Sequence, residues 1–194
     1  MAKTLVFLEH HDGAIAKGSL GVLSKAAAVG GEVAGVLAGS DVRAIAEGVG
    51  ATVWVADDPS LAAPLPQPRV DVLAKLVRDE GFDTVLFAQS VLAADIAAGL
   101  AVRLDAGLNW GLVDFDGETG RAPQLSDTVY VDVGWSSPVR LAVFRAGAFD
   151  PEPLTGTFSI CGSTPEPGAA SNEPARKSAS RGPPFHPTST RTES

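Results

Sequence analysis

The side chains best suited to chemistry follow the first apolar run of the chain, residues 4–8. Glu9, His10, His11 and Asp12 come in succession and end at Gly13. Two adjacent imidazoles at the end of a strand could bind a metal ion. Because neighbouring side chains on an extended chain point to opposite sides, the two histidines cannot easily hold one metal. His186 is distant in sequence, so we expect no metal site.

A phosphate site would need a glycine-rich turn at this point, since backbone N–H groups must approach the anion closely. The chain matches neither G-x-G-x-x-G nor G-x-x-x-x-G-K-[ST] here. We interpret Gly13, Lys17, Gly18 and Ser19 as a loop leading into a helix rather than as a phosphate loop. If a ligand site exists, the loops after Leu8 and Ala88 are the places where strands of a parallel sheet would present it.

The remaining polar motifs favour structural roles. No G-x-S-x-G elbow is present, and Cys161 lies outside the part expected to fold, so no nucleophile–base pair is predicted. Asp57 and Asp58 could form an acid–base pair, but the following Pro59 indicates a loop or a helix cap. The three tryptophans are interpreted as core or interface residues; they are Trp54, Trp110 and Trp135. We therefore assign no catalytic residue.

An alternation of strands and helices should position these loops. Continuous apolar runs predict buried parallel strands at residues 4–8, 33–37, 52–55 and 84–88. Helical patterns lie between and after them, at residues 19–29, 41–47, 69–80 and 92–104. For the second helix, Ser40 is the expected N-cap and Gly48 the expected C-cap. Four β-then-α units predict a doubly wound α/β domain with a mainly parallel, Rossmann-like sheet.

The pattern changes after Asp105. Short strands without intervening helices are predicted at residues 112–115, 129–133 and 141–145, so the sheet should end in mixed or antiparallel pairing. We place the folded domain at residues 1–150. Residues 151–194 contain eight of the fourteen prolines and little apolar periodicity, so we predict a disordered tail.

Composition narrows the class of protein further. The net charge of -8 argues against binding to nucleic acid or to an anionic membrane surface and favours neutral or basic protein partners. A single cysteine cannot form an internal disulfide, so a cytoplasmic location is the default expectation. The first apolar run is too short for a signal segment or a membrane span.

Several segments, in register, resemble electron-transfer flavoprotein α-subunits. They are T-L-V-F-L-E-H-x-D-G, V-A-G-V-L-A-G-S, V-W-V-A-D-D, A-A-D-I-A-A-G-L-A-V-R-L-D-A-G-L and L-A-V-F-R-A-G-A-F. Together they span residues 3–149 and match the N-terminal domain of that family. The resemblance implies an adenine-nucleotide α-hydrolase-like architecture. The chain departs from the pattern at Asn109-Trp110 and Gly134-Trp135, where smaller or β-branched residues are usual.

The resemblance implies a component of an electron carrier rather than a catalyst with its own substrate. In the family, an α-subunit and a β-subunit hold one FAD and accept electrons from acyl-CoA or other dehydrogenases. The N-terminal domain of the α-subunit serves mainly as a scaffold against the β-subunit, while the C-terminal domain of the α-subunit holds most of the FAD. The Gly-Arg-Gly, Gln-Thr-Gly and Ser-Gly-x-x-Gln-His segments of that second domain do not occur in residues 150–194. We expect the FAD-binding half to be missing, and we assign no FAD-binding residue.

Two alternatives remain open at this stage. The chain could be a truncated α-subunit without function, or a stand-alone adenine-nucleotide-binding α/β module or unrelated enzyme. Bound flavin and a β-subunit partner are the observations that distinguish these possibilities.

Overall fold

The computed structural model describes residues 2–154 and the backbone of residues 159–163. In chain order, the strands of this described part are β1 (Lys3–Phe7), β2 (His10–His11), β3 (Ala14–Ile15), β4 (Glu32–Gly39), β5 (Thr52–Asp57), β6 (Thr84–Ala88), β7 (Gly107–Leu112), β8 (Asp114–Phe115), β9 (Gly120–Gln124), β10 (Val129–Val133), β11 (Arg140–Phe144) and β12 (Ser159–Ser163). The helices are α1 (Lys17–Val29), α2 (Arg43–Ala46), α3 (Pro66–Glu80) and α4 (Val91–Leu104), with a 3₁₀ turn at Pro59–Leu61.

Seven of these strands form one parallel sheet in the order β12-β5-β4-β1-β6-β11-β7. The central strands β1 and β6 consist mainly of apolar residues, as expected for strands that are covered on both faces. Helices α3 and α4 pack on one face, and α1, α2 and a small antiparallel sheet of β8, β9 and β10 pack on the other. The predicted doubly wound α/β class is therefore confirmed.

The short antiparallel strands predicted near the end of the domain are present, but they form a sheet of their own. Strand β11 runs parallel between β6 and β7, with Leu141 opposite both Val85 and Leu108. It is as buried as the central strands, with Leu141 to Phe144 almost inaccessible to solvent. This burial on both faces explains why β11 joins the main sheet rather than the antiparallel one.

The second helix is shorter than predicted, and its caps differ. It spans only Arg43–Ala46 and is flanked by Val42 and Glu47 instead of Ser40 and Gly48. Asp41 has a φ of 57°, outside the helical region, and its N–H donates to Asp57 Oδ1 at 2.7 Å. The contact with β5 thus holds Asp41 out of the helix.

Helix α3 begins three residues earlier than predicted, at Pro66, because proline is well suited to the first helical position.

The fold continues beyond the expected end of the domain. The Glu152 N–H donates to Ser24 Oγ at 3.0 Å on α1, and Leu154 packs against the apolar cluster on that face. Strand β12, within the segment expected to be disordered, pairs in parallel with β5. Backbone bonds along a sheet edge require no apolar periodicity, so the sequence pattern gave no signal of this strand. The other tail residues lie outside the described part, and their disorder stays a prediction.

Candidate functional site

The main candidate site is a cleft at the carboxyl ends of β1, β6 and β11. It measures about 320 Å³ and is lined by Glu9, His11, Ala16, Lys17, Gly18, Ser19, Ala88, Gln89, Ser90, Ala146, Gly147, Phe149 and Asp150. The chain winds outward from β1 through β4 to β5 and then returns to β6, so the cleft lies where the winding reverses. Ligands of open α/β sheets bind at this position. The loops after Leu8 and Ala88, expected from sequence, meet here.

Glu9 lies on the floor of the cleft and is only 8% exposed. The Ser90 hydroxyl donates to Glu9 Oε2 at 2.5 Å, and His11 Nε2 lies 2.9 Å from Glu9 Oε1. The backbone N–H of Glu9 donates to Ser19 Oγ at 3.1 Å. The carboxylate is therefore satisfied by two side chains, as a buried charged group requires.

Ser90 is a structural cap rather than a nucleophile. Its side-chain oxygen accepts the Ala93 N–H at 2.9 Å and so caps the N-terminus of α4, while its hydroxyl hydrogen goes to Glu9. The base within hydrogen-bond reach of the Ser90 hydroxyl is the Glu9 carboxylate, because His11 contacts Glu9 and not Ser90. Ser90 and His11 together hold the Glu9 carboxylate in place.

The rim of the cleft carries Lys17, the only lysine or arginine of the lining. Lys17 stands at the start of α1, largely exposed, and its Nζ lies 3.2 Å from Asp150 Oδ1. Helix α1 lies close to β6 at Gly18, where an added Cβ would be 3.3 Å from Ala88 Cβ. The absence of a side chain at Gly18 permits this close approach. The Glu9 carboxylate, however, sits between the N-termini of α1 and α4 and opposes a phosphate there. Among the described residues of the cleft, this charge does not suit a pyrophosphate group.

The two adjacent histidines point to opposite sides, as expected. His11 is exposed beside the cleft, whereas the His10 ring packs near Gly39, where an added Cβ would lie 2.5 Å from His10 Nε2. Burial lowers the pKa of His10 below its usual value, although a hydrogen bond with the Ala38 backbone acts in the opposite direction. Within residues 2–154, no group of three or more histidine, cysteine or acidic side chains could hold a metal ion.

Asp57 is the last residue of β5, and Asp58 follows it with the capping role that the sequence favours. Asp58 Oδ1 accepts the Ser60 N–H at 2.8 Å and caps the 3₁₀ turn. Hydrogen bonds with the Ser60 hydroxyl and then with the Ser60 N–H lower the pKa of Asp58. Asp57 instead accepts the Asp41 N–H at 2.7 Å and faces Arg43 at 3.7 Å. The two carboxylates serve different partners and do not form an acid–base pair.

Comparison with known proteins identifies the family of this fold. The family model described as "Electron transfer flavoprotein domain" matches residues 4–180. The chain belongs to the electron transfer flavoprotein domain family. This confirms the resemblance that the sequence segments indicated.

The relatives are named as α-subunits and are longer than this chain. The electron transfer flavoprotein subunit alpha of Mycobacterium tuberculosis H37Rv is 32% identical over 163 residues, covering 80% of this chain and 51% of the relative. A probable mitochondrial subunit alpha from Schizosaccharomyces pombe is 26% identical over 175 residues, covering 85% and 51%. The subunit alpha of Pseudomonas aeruginosa is 26% identical over 152 residues, covering 75% and 48%. The chain spans about half the length of these curated relatives.

A second feature of this electron transfer flavoprotein domain is an exposed surface beside the cleft. A shallow groove of about 510 Å³ is lined by Gln89, Ser90, Val91, Ala94, Asp95, Trp110, Arg145 and Ala146. Trp110 is 45% exposed here, whereas Trp54 and Trp135 are partly buried against the core. Arg145 Nη1 also lies 2.9 Å from both carboxylate oxygens of Asp127, in the turn before β10. Trp110 is thus the most exposed of the three tryptophans.

Sequence reasoning missed Ser90 and Phe149 as residues of the cleft. Ser90 reaches Glu9 across 81 positions of sequence, and Phe149 lines the cleft after a bend that follows β11. A capping serine before the predicted fourth helix was the only available signal for Ser90. Nothing in the local pattern indicates Phe149.

Within residues 2–154 and 159–163, no helix is long and apolar enough to cross a membrane.

Proposed function

We propose that this chain is an α-subunit-like component of an electron transfer flavoprotein. It serves as a scaffold that packs on a β-subunit. The family match over residues 4–180 carries the proposal, and the relatives named as α-subunits support the choice of subunit. The assembly acts as an electron carrier rather than as a catalyst with its own substrate. FAD supplies the redox chemistry of the assembly. Acyl-CoA or other dehydrogenases are the proposed electron donors, and the cytoplasm is the proposed location.

The chemistry of the cleft supports a scaffold role with respect to FAD. A flavin dinucleotide needs a cation or a free helix N-terminus at its pyrophosphate. Here the buried carboxylate of Glu9 lies between the two helix N-termini, and Lys17 is on the rim, paired with Asp150. We therefore propose that FAD is held at the level of the complex and that residues 1–194 alone bind it weakly.

The exposed surface supports assembly with another protein. Trp110, Tyr130 and Arg145 are residue types that dominate the binding energy of protein interfaces. Trp110 and Tyr130 are about half exposed, and Arg145 is held in place by Asp127. A charge of -8 favours a neutral or basic partner over a strongly acidic one.

The proposal is tested by titrating FAD into residues 1–194 while flavin fluorescence is followed, with and without the β-subunit of the same organism. We expect weak binding to the chain alone, and we expect the β-subunit to elute with the chain in size-exclusion chromatography. Tight stoichiometric binding of FAD to the chain alone would contradict the scaffold role. Failure of the two proteins to associate would instead favour a chain that has lost the activity.

A second candidate function is binding of an adenine nucleotide in the cleft. The position of the cleft at the reversal of winding favours it, as does Lys17 at the start of α1. The carboxylate of Glu9 opposes the phosphate. A parallel titration with AMP distinguishes the two candidates, because saturable AMP binding that is lost in Lys17→Ala would favour the nucleotide site.

A further inference from the structure

Glu9, on the floor of the cleft, is a buried carboxylate without a permanent cation beside it. Of the lysines and arginines in the described part of the chain, none forms an ion pair with Glu9. Lys17 Nζ is paired with Asp150 at the rim, and the buried Arg69 donates to three backbone carbonyls at 2.8 to 3.0 Å. His11 contacts Glu9 at 2.9 Å, but its largely exposed imidazole is charged only when protonated. Because buried carboxylates are normally paired with a cation, Glu9 is suited to a cation that a ligand brings.

The carboxylate keeps hydrogen-bonding positions for such a cation. Oε2 accepts the Ser90 hydroxyl and Oε1 faces His11 Nε2, whereas a carboxylate offers about four acceptor positions. Glu9 also lines the cleft, so a bound molecule can contact it. A metal ion is disfavoured, because no group of three or more ligating side chains is present within residues 2–154. An ammonium group, with three N–H donors and a full charge, suits the floor better.

The first turn of α1 contributes hydrogen-bond donors to the same cleft. Ala16 precedes this helix without a side-chain cap, and the first turn holds no acidic residue. The Ser19 N–H returns to the Ala16 carbonyl at 3.0 Å, but no described residue accepts the N–H groups of Lys17 and Gly18. Lys17 and Gly18 both line the cleft. Free N–H groups at the start of a helix attract a carboxylate.

The remaining walls limit the size and the polarity of a ligand. They are formed mainly by small or apolar residues, which include Ala88, Ala146, Gly147 and Phe149. The volume of about 320 Å³ lies at the lower end of the range of roughly 300–1,000 Å³ that is typical of small-molecule pockets. The cleft therefore suits a small molecule with a short apolar body.

A positive group, a negative group and a short apolar body occur together in a small aliphatic α-amino acid. We propose that the cleft binds such an amino acid, with its ammonium group on Glu9 and its carboxylate at the N-terminus of α1. A phosphate beside Glu9 is repelled, whereas the ammonium group of a zwitterion can lie between its own carboxylate and Glu9. This inference goes beyond the proposed function, because the amino acid binds without FAD or a β-subunit.

Three ligands that differ by one charged group test the proposal. L-Valine carries both groups, isobutylamine lacks the carboxylate, and isovalerate lacks the ammonium group. Each is titrated into residues 1–194 while the backbone amide chemical shifts are followed by NMR. We expect valine to give saturable shifts at Gly18 and Ser90 and to bind about tenfold or more tightly than either analogue. If isobutylamine or isovalerate binds as tightly as valine, the assignment to an amino acid is wrong.

Substitutions at the two ends of the site have matched controls. Glu9→Gln keeps the shape of the side chain and removes its charge, and Glu32→Gln makes the same change on β4, where the side chain is 64% exposed. Lys17→Pro removes an N–H at a helical position that tolerates proline, whereas Lys17→Ala removes the same cationic side chain and keeps that N–H. We expect Glu9→Gln to weaken valine binding by about tenfold or more. Lys17→Pro should weaken it more than Lys17→Ala does, and Glu32→Gln should bind valine as the wild type does.

The possible results decide the proposal without reference to the electron carrier. Thermal melting of each variant establishes that it is folded, and Lys17→Pro keeps the test valid if Glu9→Gln does not fold. Equal valine binding by the wild type, Glu9→Gln and Lys17→Pro would overturn the proposal, because the ligand would then lie elsewhere. The absence of saturable shifts with valine would also overturn it, and saturable shifts with AMP would then assign the cleft to a nucleotide. None of these results bears on the scaffold role, which is tested by binding of FAD and of the β-subunit.

Discussion

Ser90 connects two parts of the cleft through one hydroxyl, because it caps α4 and also donates to the buried Glu9 carboxylate. Ser90→Ala removes both bonds and leaves a buried carboxylate oxygen without this donor. We expect the free energy of unfolding to fall by about 1–3 kcal/mol in urea denaturation. Ser136→Ala, at an exposed loop position, is the control and should change it by less than ~0.5 kcal/mol. Equal effects of the two changes would show that the Glu9–Ser90 bond does not stabilise the fold.

His10 should make stability depend on pH. Burial lowers its pKa in the folded state, so the unfolded chain binds a proton more readily near pH 6. Stability should therefore fall as the pH drops below about 6.5, the ordinary pKa of histidine, and should level off below the folded pKa. Urea denaturation between pH 7.5 and 5.5 measures the slope, which His10→Asn should reduce. An NMR titration midpoint for His10 above 6.5 would contradict the assignment.

The sequence indicated which loops would meet at a ligand site but assigned none of the residues of the cleft, for a physical reason. Glu9, His11 and Lys17 follow the first strand directly, so the general rule for parallel sheets places them at the carboxyl edge. Whether a phosphate could bind at this edge of the sheet depends on which side chain occupies the space between the loops. Glu9 occupies it because it accepts a hydrogen bond from Ser90, which lies 81 positions away in sequence. No local pattern encodes such a contact.

Helix α1 and the segment after β11 approach each other at Gly21. A Cβ at this position would overlap the carbonyl oxygen of Phe149, a backbone atom that cannot move aside alone. Gly21→Ala should therefore destabilise the domain by about 1–3 kcal/mol, although alanine favours a helix by up to ~1 kcal/mol. In Gly99→Ala on α4 the added methyl group meets a γ-carbon of Val70 at 2.9 Å, so the loss should be smaller. Increased stability of Gly21→Ala in urea would show that Phe149 does not lie against α1.

Helices and strands whose own residues show an apolar periodicity were predictable from the sequence. Elements whose bounds depend on contacts with other parts of the fold were not. The strands β1, β4, β5 and β6 and the helices α1, α3 and α4 were predicted within a few residues. Helix α2 was overestimated because Asp41 bonds to Asp57 on β5 instead of continuing the helix. Strand β7 was largely missed, since Gly107, Asn109 and Gly111 interrupt its apolar pattern.

The parallel sheet and the three-stranded antiparallel sheet of the described chain have different edge strands. Strand β12 covers β5 at one edge of the parallel sheet, whereas no strand of the described residues covers β10. An uncovered apolar edge invites association, while a covered one stabilises the isolated chain. Because β12 pairs with β5, we expect β12 to contribute to the stability of the domain.

Two C-terminal deletions test the contribution of β12. Removing residues 155–194 takes away the strand that pairs with β5, so the Tm should fall by roughly 2–8 °C, as expected for a loss of about 1–2 kcal/mol. Removing residues 164–194 keeps β12 and deletes most of the segment predicted to be disordered, so the Tm should remain within ~2 °C of the full chain. Thermal melting by circular dichroism measures both. Equal melting of the two deletions would show that β12 does not stabilise β5. A large decrease from the shorter deletion would show that residues 164–194 pack on the domain, because a disordered tail cannot contribute such stability.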